Sequence, residues 1–88
     1  MRSIYKYTVG LLANQPITIK MPEGAQVVAF QMQQGFPTLW ALVEPEHAPT
    51  ERVFVIYGTG GDVAPTARYV GTVAGEAPSV WHCFELSR

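Results

Sequence analysis

Apolar and polar residues alternate with a period of two along most of this chain, in short runs that Gly and Pro interrupt. No stretch carries the 3.6-residue apolar period of an amphipathic helix. Ile17, Ile19 and Met21 alternate with Thr18 and Lys20, the pattern of a strand with one face in a core and one in water. Pro22-Glu23-Gly24-Ala25 then supplies a turn, because Gly24 takes a positive φ at little cost. The run Gln26 to Gln33 places Val28, Phe30 and Met32 on one face and Ala29, Gln31 and Gln33 on the other. Gln34-Gly35 reads as a hairpin turn. The return through Thr38-Leu39-Trp40-Ala41-Leu42-Val43 is apolar on both faces, as a central or doubly covered strand is. Arg52 to Tyr57 repeats that doubly apolar pattern after a loop, Glu44 to Thr50, with two prolines and two carboxylates. Ile4 to Val9, Arg68 to Val73 and Ser79 to Leu86 bring the count to about seven strands. This predicts an all-β chain, a single domain over residues 1–88 built as a small antiparallel β-sandwich or barrel.

Composition narrows the class. A chain of 88 residues and 9.7 kDa holds one modest core, and 48% hydrophobic residues exclude disorder. Charged residues are only 15%, against about 25% in an ordinary soluble domain. A surface so weakly charged, with open sheet edges, predicts a homo-oligomer that covers part of it. The net charge of −1 argues against duplex nucleic acid as a partner, since that needs a basic face. A single cysteine forms no internal disulfide. Met1-Arg2-Ser3-Ile4-Tyr5-Lys6 lacks the apolar core of a signal peptide. The longest apolar runs, Leu39 to Val43 and Val53 to Tyr57, are far too short to cross a membrane as helices. The expectation is a cytoplasmic protein with no membrane attachment.

Groups able to do chemistry are few. His82 and Cys83 are neighbours in a strand and therefore point to opposite faces, so they form no nucleophile–base dyad. Cys83 would have to reach His47 in the Pro-rich loop, and its plainer reading is a small buried apolar residue. His82 shares its face with Val80 and Phe84 and reads as a core or interface histidine. Two histidines and one cysteine lack the close ligand spacing of a zinc site, so neither metal nor cofactor is expected. Glu44 and Glu46 read as solvated charge. Gly58-Thr59-Gly60-Gly61 suggests an anion cradle, but no Lys-Ser/Thr pair and no helix follow it, and a hairpin loop requiring positive φ explains it. A variant of the cradle survives. If the strands that begin near Arg52 and Arg68 pair, both arginines lie near one end of a hairpin. With Tyr57, Gly58, Thr59, Gly60, Tyr69 and Trp81 they compose a candidate nucleotide site, the arginines on phosphates and a ring on the base.

A series of segments carries a resemblance. Ile4-Tyr5-Lys6-Tyr7, Met21-Pro22-Glu23-Gly24-Ala25, Leu39-Trp40-Ala41-Leu42-Val43, Tyr57-Gly58-Thr59-Gly60, Tyr69-Val70-Gly71-Thr72 and Trp81-His82-Cys83-Phe84-Glu85 stand in that order over nearly the whole chain. Together they resemble a family of small accessory proteins encoded by tailed phages and prophages. In that family a histidine often follows the Tyr-Gly-Thr-Gly segment; Gly61 stands there in this chain, so no role of that histidine transfers. The resemblance implies a setting, the cytoplasm of an infected bacterium, and no activity. Within it the expected function is non-catalytic counter-defence: sequestering a nucleotide immune signal, or blocking a host defence protein such as a CRISPR effector. The alternative is a minor structural or host-interaction protein of the phage. The thin inventory of acids, bases and nucleophiles weighs against an enzyme.

Overall fold

A computed structural model describes residues 1–10 and 13–86. Seven antiparallel strands are found among them, with no helix: β1 (Ser3–Thr8), β2 (Ile17–Pro22), β3 (Gln26–Gln33), β4 (Phe36–Val43), β5 (Pro49–Gly58), β6 (Arg68–Ala74) and β7 (Val80–Leu86). They form two sheets, a three-stranded one in the order β1-β4-β3 and a four-stranded one in the order β2-β5-β7-β6. The two strands that are apolar on both faces, β4 and β5, are interior to their sheets, as their sequences require. Between the sheets Met21, Phe30, Leu39, Ala41, Val43, Phe54, Ile56, Val73 and Cys83 make the core.

Local chemistry sets the connections. Gln34 and Gly35 both take positive φ, +50° and +85°, the pairing of signs that a two-residue type I′ hairpin turn needs to join β3 to β4. Gly24 has a φ of +82°, and the Ala25 N–H donates to the Pro22 carbonyl across the turn before β3.

Strict alternation fails at two places, both in edge strands. Val27 faces Ala41 and Ala29 faces Trp40 in β4, so Val28 has no residue opposite it and bulges. The bulge turns Val27 inward and leaves Val28 50% exposed, which corrects the grouping of Val28 with Phe30 and Met32. A second bulge at Val70 lies between the pairs Tyr69–Phe84 and Gly71–Cys83. The bulged edges meet across the sandwich. A Cβ on Gly71 would stand 3.1 Å from the Cβ of Phe30, so a side chain there would require Phe30 to give way by a few tenths of an ångström.

The connection from β5 to β6 differs from expectation. These strands do not pair; β7 lies between them. The glycine segment is therefore a crossing loop rather than a hairpin, turned by Gly60 at φ +92° with the Gly61 N–H donating to the Gly58 carbonyl at 3.0 Å. Each of β5 and β6 runs antiparallel to β7, so the two run parallel to each other, and their first residues lie at the same end of the sheet.

Candidate functional site

Glu85 is the centre of the arrangement, and sequence reasoning had passed over it. It falls on the inward face of β7 together with Trp81 and Cys83, where an unpaired carboxylate would be costly. Two arginines meet it there. Arg52 on β5 grips the carboxylate with both edges of its guanidinium, Nε to Oε2 at 2.7 Å and Nη2 to Oε1 at 2.9 Å. Its Nη1 donates to the Ala25 carbonyl at the entry of β3, which ties one sheet to the other. The side chain is 19% exposed, its guanidinium carbon lies 5.9 Å from the centre of the Phe54 ring, and the bond to Glu85 holds its pKa above the ordinary value. Burial and the neighbouring Tyr5 push the Tyr7 phenol up, with the Arg52 charge opposing them. Arg68, at the start of β6, reaches the same carboxylate with Nη2 at 3.2 Å but is 72% exposed.

This cluster floors a cleft of about 430 Å³ between the two edge strands. Its walls are Ala25 to Ala29 of the β3 edge and Arg68, Tyr69 and Val70 of the β6 edge. Both bulges therefore open onto it. The two edge strands touch at Phe30 and Gly71.

The eight residues expected to share one site divide between places. Arg52, Arg68 and Tyr69 line the cleft just described. Tyr57 and Gly60 line a second, shallower depression with Asn14, Gly61, Asp62, Val63 and Ala64 at the opposite end of β5. Thr59 sits in the same loop and turns its hydroxyl to His82, while Gly58 ends β5 opposite Trp81. Trp81 packs against the core from the inner face. The arginines do converge, through β7 and not through a hairpin between β5 and β6, and the glycine loop stands at the other end of the strand from them.

His82 shares the face of Val80 and Phe84 and lies outside the core. Its face is the outer one, and the ring is half-buried there between two hydroxyls: Nε2 on Thr59 Oγ1 at 2.9 Å and Nδ1 on Thr72 Oγ1 at 3.0 Å. Thr72 Oγ1 in turn bonds the Tyr69 hydroxyl at 2.7 Å. Tyr57 and Tyr69 flank Phe84 edge-on at 5.6 and 5.5 Å. This network holds the Tyr69 ring on the outer face with Thr72, His82 and Phe84, the side of the sheet opposite Glu85, and leaves the residue 62% exposed. Cys83 is buried in the core, where desolvation and then the Glu85 charge push its thiol up to about 12. His47 lies on an exposed turn with Nδ1 donating to the Glu23 carbonyl, so the two form no dyad.

A family model described as a domain of unknown function, DUF7352, matches residues 1–88. The chain belongs to this family. That description carries no activity, and no curated protein and no solved structure matches the chain. Any functional reading of this member therefore rests on the cleft and on its own residues.

Proposed function

We propose that this chain is a non-catalytic binding protein that captures a small nucleotide, the role of a counter-defence protein that sequesters a nucleotide immune signal. The observation that carries this reading is the convergence of Arg52, Arg68 and Tyr69 on one cleft. Its size falls within the range of about 300–1,000 Å³ in which proteins hold small ligands. Arg68 presents an exposed planar fork of donors to a phosphate. The non-catalytic part is supported by the state of the two groups a nucleophilic enzyme would draw on. The Cys83 thiol is held protonated inside the core, and both nitrogens of His82 are engaged with hydroxyls.

Titration calorimetry with cyclic mono-, di- and trinucleotides and cyclic ADP-ribose isomers tests the reading. Wild type is expected to bind at least one of them, and Arg68→Ala to lose that binding without losing its β spectrum. Failure of every ligand with wild type overturns the reading and leaves the blocking of a protein partner, or a structural role in a phage particle, in its place.

The same reading includes self-association. Ile4 is exposed on the outer face of β1 opposite Leu42, with Trp40 two residues along, beside the unpaired β1 edge. A second copy covering this face would remove the largest apolar exposure of the three-stranded sheet. Light scattering at micromolar concentration is expected to give the mass of a dimer or larger closed oligomer, and a monomer mass would count decisively against it.

A further inference from the structure

Resting on the nucleotide-capture reading, we infer that the cleft between β3 and β6 recognises a group carrying a single negative charge, such as the one phosphodiester of a cyclic mononucleotide, and discriminates against multiply charged phosphates. The argument is a charge count. The charged groups lining the cleft are Arg52, Arg68 and Glu85, two cations against one anion, a balance of +1. Arg52 does not supply the spare charge. Its Nε and Nη2 are committed to the Glu85 carboxylate and its Nη1 to the Ala25 carbonyl. Glu85 is only 10% exposed and cancels it at hydrogen-bonding distance. Arg68 has one contact, through Nη2 at 3.2 Å, and most of its surface in solvent, so the remaining positive charge is the Arg68 guanidinium.

A monoanion on Arg68 brings the cleft to neutrality. A second negative charge would find no further uncommitted cation among the lining residues, and the Glu85 carboxylate on the cleft floor would oppose it. Like charges a few ångströms apart in a partly desolvated setting weaken binding by roughly tenfold or more. The other lining residues do not relieve this. Ala25, Gln26, Val27, Val28, Ala29 and Val70 offer neutral backbone groups and apolar surface, and the bulged Val28 and Val70 carry edge backbone with no residue opposite in the ladder. The cleft therefore suits a small ligand that sets one negative charge against Arg68.

The test is a series that keeps base and ribose constant: adenosine, 3′,5′-cyclic AMP, ADP and ATP, repeated on guanine and uracil, by calorimetry without divalent cations. Within the best-bound base, the cyclic monophosphate is expected to bind roughly tenfold or more tighter than the di- and triphosphates. In Arg68→Gln it should fall to the level of the uncharged nucleoside, with the melting temperature within a few degrees of wild type. Tighter binding of the di- or triphosphate than of the cyclic monophosphate overturns the single-charge inference and leaves nucleotide capture standing. Cyclic monophosphate binding that survives Arg68→Gln overturns the inference by placing the charge elsewhere. Failure of wild type to bind any nucleotide, in this series or in the cyclic di- and trinucleotide panel, removes the capture reading itself.

Discussion

Arg52→Met is expected to cost about 3 kcal/mol of folding stability and to lower Tm by roughly 12–24 °C. The substitution leaves Glu85 on an inward face with only the exposed Arg68 to balance it, and leaves the Ala25 carbonyl without its donor. Removing one partner of a buried pair costs about 3–5 kcal/mol, and the lower end applies because Arg52 keeps 19% of its side chain in water. The loss is a large share of the 5–15 kcal/mol that holds a typical domain together. Arg68→Gln should shift Tm by no more than a few degrees, since an exposed ion pair contributes about 0–1 kcal/mol. The double substitution Arg52→Met with Glu85→Leu should recover much of the loss, because an apolar pair of similar size has no charge to compensate. Thermal melts followed by circular dichroism separate the cases. An Arg52→Met protein that melts within a few degrees of wild type would show that the pair does not hold the sheets together. The same reasoning makes Arg68, not Arg52, the residue whose loss reports on ligand binding.

The fold was legible because its signals are local. Alternation marks β2, double apolarity marks β4 and β5 as interior strands, and Gln34-Gly35 has the residues of its turn. Inserting one residue in β3 reverses the faces of everything before it, and nothing in Gln26-Val27-Val28-Ala29 distinguishes Val27 from Val28 as the one to turn inward. That choice appears only in the register with β4. The candidate site was half legible for a related reason. Arg52 and Arg68 were singled out by residue type, but their meeting depends on β7 entering between β5 and β6, a long-range pairing that periodicity does not encode. Glu85 did leave a signal. Trp81, Cys83 and Glu85 share a period-two face, and a carboxylate continuing an apolar face requires a buried cation. The only strand-borne arginines in the second half of the described chain are Arg52 and Arg68. The glycine loop misled through composition, since its richness in Gly reflects a turn at Gly60 and one of its donors, the Gly61 N–H, is already spent on Gly58.

Alkaline pH should destabilise this protein through Cys83. Burial raises the thiol from 9.0 to about 12, so the folded state keeps a proton that the unfolded chain releases. With the folded value above the unfolded one, the stabilisation is fully present below pH 9 and is lost as pH rises towards 12. The slope approaches about 1.4 kcal/mol per pH unit, so the loss is on the order of 1 kcal/mol by pH 10 and a few kcal/mol by pH 11. Lysine and tyrosine groups titrate in the same range, so the measurement is a comparison: urea midpoints of wild type and Cys83→Ala between pH 8 and pH 11. Cys83→Ala is expected to be less stable at pH 8, because a core side chain is shortened, and to lose less with rising pH. The two curves should converge by about the amounts given. A thiol reagent at pH 8 supplies an independent readout, since a fully buried and protonated Cys83 reacts only when the β5-β7-β6 sheet opens. Parallel pH curves for the two proteins, or labelling of native Cys83 at the rate of a free thiol, would remove the thiol from the core face on which Glu85 and its arginines are built.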